Sequence, residues 1–119
     1  MYTINVEATF SSAHRLRGYK GKCEELHGHN WKVEIAAAKE ELDKIGMLLD
    51  FRLLKRKLIS VLEKLDHKYL NNIAYFKRVN PTSENIARYI YDRLKPKVAA
   101  LKSVTVWESD KACAVYEEE

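Results

Sequence analysis

The sequence is poor in the residues that mark several protein classes. Its 119 residues include two cysteines, two prolines and four glycines. Two thiols, Cys23 and Cys113, are too few for a disulfide scaffold, and without a visible secretory leader they are expected to be reduced. With prolines only at 81 and 96 there is no Pro-rich linker, and no repeat or low-complexity segment divides the chain, so one domain over residues 1–119 is expected. No stretch approaches the roughly 18–20 apolar residues that span a bilayer. Met1-Tyr2-Thr3-Ile4-Asn5 offers neither a basic nor an apolar leader region, which points to a cytoplasmic protein. A long basic stripe is also missing: the net charge is +4 with Lys and Glu interspersed, a balance that argues against nucleic acid and suits a small anionic ligand.

What is present is a soluble globular composition, 46% hydrophobic and 32% charged. Residues 2–14 alternate, with Tyr2, Ile4, Val6, Ala8, Phe10, Ser12 and His14 on one face, which predicts a long half-buried strand. A second strand is predicted from His27 to about Lys39, placing His27, His29, Trp31, Val33, Ile35 and Ala37 together. A turn at Asp43–Met47, broken by Gly46, leads to a helix over residues 51–65 with Asp50 as its N-cap. The apolar face of that helix reads Phe51, Leu54, Leu58, Val61, Leu62 and Leu65. Residues 66–80 read as irregular. Pro81-Thr82-Ser83-Glu84 opens a second helix that Pro96 ends, and two short strands at 101–108 and 112–117 close the chain. The order β-β-α-α-β-β predicts an α+β fold, a four-stranded antiparallel sheet with both helices on one face. Its two open edges call for cover, and pairing with further copies of the chain would provide it.

Chemistry concentrates on few residues. His27-Gly28-His29 puts two imidazoles on one face of a strand, and His14 ends the preceding strand on the face that would meet them. Three neutral imidazoles with an open position make a catalytic zinc shell, and nitrogen donors favour zinc over magnesium or calcium. Histidines making ordinary hydrogen bonds are the alternative. Asp66-His67 can cooperate only if the backbone turns suitably, since neighbours on a regular helix do not face each other, and a capping pair is the simpler reading. Cys23 lies four residues before His27, where a nearby cation would favour its thiolate as base or nucleophile; a small buried apolar residue is the alternative. Glu108 shares a face with Val104 and Val106 and needs a partner, either a guanidine-like edge of a ligand or a cation of the chain itself. Arg15, Arg17, Lys20 and Lys22 could receive an anionic tail or form a solvated loop.

Taken in order, Phe10-Ser11-Ser12-Ala13-His14-Arg15-Leu16, Cys23-x-x-x-His27-Gly28-His29, Gly46-Met47-Leu48-Leu49-Asp50-Phe51, Leu65-Asp66-His67-x-Tyr69-Leu70-Asn71, Asn80-Pro81-Thr82-Ser83-Glu84 and Val106-Trp107-Glu108 resemble the 6-pyruvoyl-tetrahydropterin synthase / 6-carboxy-tetrahydropterin synthase family over nearly the whole chain. The resemblance implies a tunnelling fold (T-fold) whose sheets join in a trimer, with two trimers stacked as a hexamer. It implies zinc on His14, His27 and His29, Cys23 as catalytic base, and Asp66 and His67 as a proton-relay dyad, often acting across a subunit boundary. Glu108 would anchor the pterin, and Thr82 and Ser83 would line its pocket.

The implied substrate is 7,8-dihydroneopterin triphosphate. The implied product is 6-carboxy-5,6,7,8-tetrahydropterin, released with acetaldehyde and triphosphate on the route to the 7-deazaguanine nucleosides queuosine and archaeosine. The three residues between Cys23 and His27 resemble the carboxy branch. The pyruvoyl branch has a longer spacing there. A branch that cleaves dihydroneopterin phosphates to 6-hydroxymethyl-dihydropterin carries a glutamate near the cysteine, and Glu24 and Glu25 keep it open. Ser109-Asp110-Lys111-Ala112-Cys113 departs from the glycine-containing form of the carboxy branch. A reading from a different class is a zinc-stabilised RNA-binding module. Such structural sites are normally closed by four protein ligands, often thiolates, and exposed aromatics among the loop cations are limited to Tyr19.

Overall fold

The alternating segments at the start of the chain build the sheet that everything else rests on. The computed structural model describes residues 1–19 and 25–119. Strand β1, Tyr2–His14, pairs antiparallel with β2, His27–Lys39, in an unbroken register from Tyr2 opposite Lys39 to His14 opposite His27. Directly opposed residues share a face, so Phe10 meets Trp31, Ser12 meets His29 and His14 meets His27 on the same side. β4, Leu101–Ser109, pairs antiparallel with β2, and β5, Ala112–Glu117, with β4.

The predicted α+β class holds, with one correction to the sheet. Among the described residues it has five strands, with β3, Lys68–Tyr69, at one edge in the order β3-β1-β2-β4-β5. This added strand pairs parallel with Ser12–Ala13 of β1. Two residues are too short to show any alternation in sequence, and this strand exists only because its neighbour is already in place. The stretch predicted as irregular also holds a 3-10 turn, Leu70–Asn72, and a short helix α2, Ala74–Arg78. Phe76 of α2 and Leu70 are fully buried, so these turns are part of the core.

Helix α1, Phe51–Leu62, starts where expected, with the Asp50 carboxylate accepting the Arg52 N–H at 2.7 Å. That bond, foremost, holds the Asp50 carboxyl below the usual carboxylate range. α1 ends three residues early, and Leu65 reaches the core from the following turn. The apolar face predicted for α1 is also too wide: Leu54, Leu58, Val61 and Leu62 are buried, but Phe51 is 59% exposed. Phe51 lies in the first turn, on the rim of a cavity of about 500 Å³ that it shares with Tyr2, Ile4, Met47 and Leu49, at the end of β1 remote from His14. Helix α3, Ser83–Leu94, is capped by Thr82, whose Oγ1 accepts the Asn85 N–H. The turn at Asp43–Met47 forms as expected: Asp43 Oδ1 accepts the N–H groups of Ile45 and Met47, and Gly46 sits at φ +84°.

The core is a single cluster between one sheet face and the helices. Phe10, Trp31, Val33, Ile35, Val104 and Val106 come from the strands, and Leu54, Leu58, Ile86, Ile90 and Leu94 from the helices. Trp31 is fully buried and stacks on Phe10 at 5.9 Å between ring centroids. The three histidines lie at the end of this same face, so the packing that buries Trp31 also floors their site.

Candidate functional site

Period-two geometry on paired strands brings His14, His27 and His29 together. Their ring centroids are 4.5–5.2 Å apart, and Trp31 packs edge-on under His14 and His29 at 4.9 and 5.1 Å. Glu108 arrives from β4, and one ligand atom of each of His14, His27, His29 and Glu108 lies within 4.8 Å of the others. Glu108 Oε1 is 3.1 Å from His29 Nε2 and 3.9 Å from His14 Nε2.

The ring tautomers follow from their partners. His14 Nδ1 is 2.7 Å from the Pro81 carbonyl, and His27 Nδ1 is 2.8 Å from the Glu25 carbonyl. A carbonyl only accepts, so each Nδ1 carries the proton and each Nε2 of a neutral ring holds a lone pair. Yet His14 Nε2 and His27 Nε2 face each other at 3.0 Å. Two acceptors at that distance repel unless a cation lies between them. His29 Nε2 is buried and has no hydrogen bond of proper geometry. Burial lowers the pKa of His14, opposed by its bond to Pro81, and burial lowers that of His29, opposed by Glu108. Both shifts favour the neutral ring, the form that binds a metal. Three inward nitrogens with backbone carbonyls behind two of them fit a zinc ion, with Glu108 beside the shell.

The second oxygen of Glu108 has a different partner. Oε2 accepts the Ser83 hydroxyl at 3.3 Å, and a cavity of about 470 Å³ opens beside both residues, walled further by Glu84 and the Ala112–Val115 stretch of β5. Ser83 thus sits at the pocket, whereas the Thr82 hydroxyl is taken up in capping α3. Cys113 is free and exposed on the same wall.

Asp66 and His67 do face each other. His67 has φ +55°, a left-handed backbone that costs a non-glycine residue free energy and turns the two side chains together. His67 Nδ1 lies 3.0 Å from Asp66 Oδ2, and Asp66 Oδ1 accepts the Ser11 N–H at 2.8 Å. That bond from Ser11, first of all, holds the Asp66 carboxyl below its ordinary value. The Ser11 side chain belongs to the sheet face opposite His14, and the His67 side chain is 83% exposed. The structure therefore assembles the three histidines with Glu108 and Ser83, and builds the Asp66–His67 pair separately at the β1 edge.

The sequence matches the family model for 6-pyruvoyl tetrahydropterin synthase over residues 3–119. The chain belongs to that family. It is 37% identical to the 6-carboxy-5,6,7,8-tetrahydropterin synthase of Synechocystis, over 98% of this chain and 93% of the relative. It is 36% identical to the dihydroneopterin monophosphate aldolase of Pyrococcus furiosus, over 91% of this chain and 90% of the relative. Among solved structures, 6-pyruvoyl tetrahydropterin synthase from Caenorhabditis elegans superposes with a TM-score of 0.90 at 32% identity, covering 99% of this chain and 96% of that one.

Cys23 and Glu24 lie outside the described residues, as do Lys20, Gly21 and Lys22. Of the loop cations expected to receive an anion, Arg17 is committed elsewhere: its guanidinium donates to the carbonyls of Phe76 and Val79. Sequence reasoning also missed the Pro81 carbonyl behind His14 and the Ser12 hydroxyl, which donates to the Leu65 carbonyl and accepts the Lys68 N–H. Backbone carbonyls leave no mark in a residue pattern. Ser12, a polar residue at an inward position between Phe10 and His14, is a signal that could have been followed.

Proposed function

We propose that this chain converts 7,8-dihydroneopterin triphosphate to 6-carboxy-5,6,7,8-tetrahydropterin, with release of acetaldehyde and triphosphate, as a zinc-dependent carbon–carbon lyase in 7-deazaguanine (queuosine or archaeosine) biosynthesis. The observation that carries the reading is the convergence of His14, His27 and His29 on Glu108, a residue that also lines a cavity of about 470 Å³. Zinc bound there would act as a Lewis acid on the hydroxyls of the pterin side chain.

The chain's own residues supply the rest. Glu108, with Ser83 on one oxygen, accepts the adjacent N–H donors of the pterin edge. Thr82 contributes by setting the start of α3 and hence the position of Ser83. Cys23 removes the proton from the side-chain carbon. Asp66 keeps the proton of His67 on Nδ1, which leaves Nε2 to take up and return a proton. Because that pair sits at an exposed edge away from the histidines, it serves the pocket of an adjoining subunit. This accords with a homo-oligomer, a hexamer of two trimers, that covers the open edges of the sheet.

The test is incubation with dihydroneopterin triphosphate, products identified by mass, with and without a chelator. A second reading draws on the similarity to the Pyrococcus aldolase and on Glu24 and Glu25 beside Cys23. In that case the same incubation, repeated with the monophosphate, yields 6-hydroxymethyl-dihydropterin.

A further inference from the structure

Two asparagines outside the histidine cluster hold the chain that leaves it. Asn71 Oδ1 accepts the Arg15 N–H at 3.0 Å while its Nδ2 donates to the Arg15 carbonyl at 2.9 Å. Asn80 repeats the arrangement two residues on: Oδ1 accepts the Arg17 N–H at 3.0 Å and Nδ2 donates to the Arg17 carbonyl at 2.8 Å. Each amide presents the donor and acceptor that a neighbouring strand would offer, so pairing of the chain continues beyond His14 through side chains. The Arg17 guanidinium closes the second clamp on the carbonyls of Phe76 and Val79, and its Nε donates to Asn80 Oδ1 at 3.2 Å. Asparagine is demanded here: aspartate lacks the donor and glutamine is a methylene too long.

The second clamp runs directly into the metal cluster. Asn80 is followed by Pro81, whose carbonyl accepts the His14 Nδ1 proton at 2.7 Å. Proline fixes its own φ and restricts the residue before it, so the place of that carbonyl follows the place of Asn80. The Asn80 carbonyl is itself held by Asn85 Nδ2 and by the Thr82 N–H, each at 2.9 Å, at the start of α3. Asn80 therefore ties three things at one point: the segment leaving His14, the acceptor behind His14, and the helix whose first residue reaches Glu108.

We propose that Asn80, locked by Arg17, is a positioning residue for His14: it places the Pro81 carbonyl and so fixes the tautomer and aim of His14 Nε2. The proposal rests on the reading of the cluster as a zinc site. Partners behind a metal ligand typically change metal affinity by about 10–100-fold when lost. The test measures zinc affinity by chelator competition, the visible absorption spectrum of the cobalt(II)-loaded chain, and the melting temperature of the metal-free chain. It uses wild type, Asn80→Ala, Arg17→Ala and the double variant. Asp50→Ala serves as control, since it removes a helix cap near the far end of β1 and lowers stability without touching the cluster.

Asn80→Ala and Arg17→Ala are each expected to weaken zinc binding by about 10–100-fold and to shift the cobalt spectrum. The double variant is expected to be no weaker than the worse single one, because the two residues act as a unit. Should Asn80→Ala not fold, Arg17→Ala carries the same expectation alone. The proposal is overturned by additive losses, by an unmoved cobalt spectrum, or by a loss of affinity that the control reproduces at equal melting temperature. Tight wild-type binding with unchanged variants overturns the clamp alone, whereas a wild-type chain that holds no zinc overturns the clamp and the site reading together.

Discussion

Glu108 divides its carboxylate between two neighbours: Oε1 lies 3.1 Å from His29 Nε2, and Oε2 accepts the Ser83 hydroxyl at 3.3 Å. One oxygen thus stands at the histidine cluster and the other beside Ser83 at the cavity. The two roles separate in one variant. Glu108→Gln keeps the shape but turns one acceptor into a donor facing the pterin N–H edge. Losing a charge-assisted hydrogen bond costs about 1.5–3 kcal/mol, so pterin affinity is expected to fall roughly 10–150-fold with zinc content unchanged. Titration of a pterin beside metal analysis checks this. Loss of zinc would make Glu108 a ligand, and unaltered pterin affinity would put the anchor elsewhere.

The histidines make a simpler prediction. His14 Nε2 and His27 Nε2 meet at 3.0 Å with both Nδ1 protons held by carbonyls, an arrangement that a cation relieves. The purified chain is expected to carry about one zinc per subunit, and His27→Ala to lose both metal and turnover. Full zinc occupancy in His27→Ala would remove that residue from the ligand set.

The long strands and the clustering of the three histidines were legible because both rest on a period of two: residues 2–14 and 27–39 alternate cleanly, and the same alternation places His14, His27 and His29 on one face. The Asp50 cap and the helix start at Pro81-Thr82-Ser83-Glu84 were legible for a comparable reason, since their chemistry is local. β3 was not, because a two-residue strand is dictated by its partner and not by its own pattern. The pairing of Asp66 with His67 came only from the family resemblance and not from the pattern of the residues themselves. It depends on the left-handed backbone of His67, which position in the chain does not announce and which the bond from His67 N–H to the Ser11 carbonyl secures from 56 residues' distance in sequence. The clamps of Asn71 and Asn80 were invisible for the same reason: both reach across the chain to backbone groups.

The thiols provide a contrast within one protein. Cys23→Ala is expected to retain fold and zinc and to lose turnover by about 10²–10⁴-fold, the usual contribution of a general base. Cys113 is exposed on the cavity wall and free, and Cys113→Ala shortens a side chain without removing a proton carrier, so turnover is expected to stay near that of wild type. Steady-state rates of the two variants decide the matter. Equal behaviour would pass the role of base to Glu24 or Glu25.

The final prediction concerns acid. Asp66 has its pKa lowered from 3.8 in the folded chain, chiefly by the Ser11 N–H and further by His67. A carboxyl depressed on folding binds its proton more weakly in the native state than in the unfolded one. It therefore contributes stability that is fully present above the unfolded value and is lost as the pH falls through the folded one. Asp66→Asn removes that contribution at every pH. The stability difference between wild type and variant is expected to be present at neutral pH, to shrink once the pH drops below about 3.8, and to level off when the wild-type carboxyl is protonated in both states. His14 and His29, also depressed, make the folded state bind protons less readily below their ordinary value of 6.5, but they do so in both proteins and cancel in the difference. Denaturant melts of the two metal-free chains across this range provide the check. A difference that stays constant down to the lowest pH would show that Asp66 acts through shape alone, and the stabilisation of its carboxylate by the Ser11 N–H would lose its support.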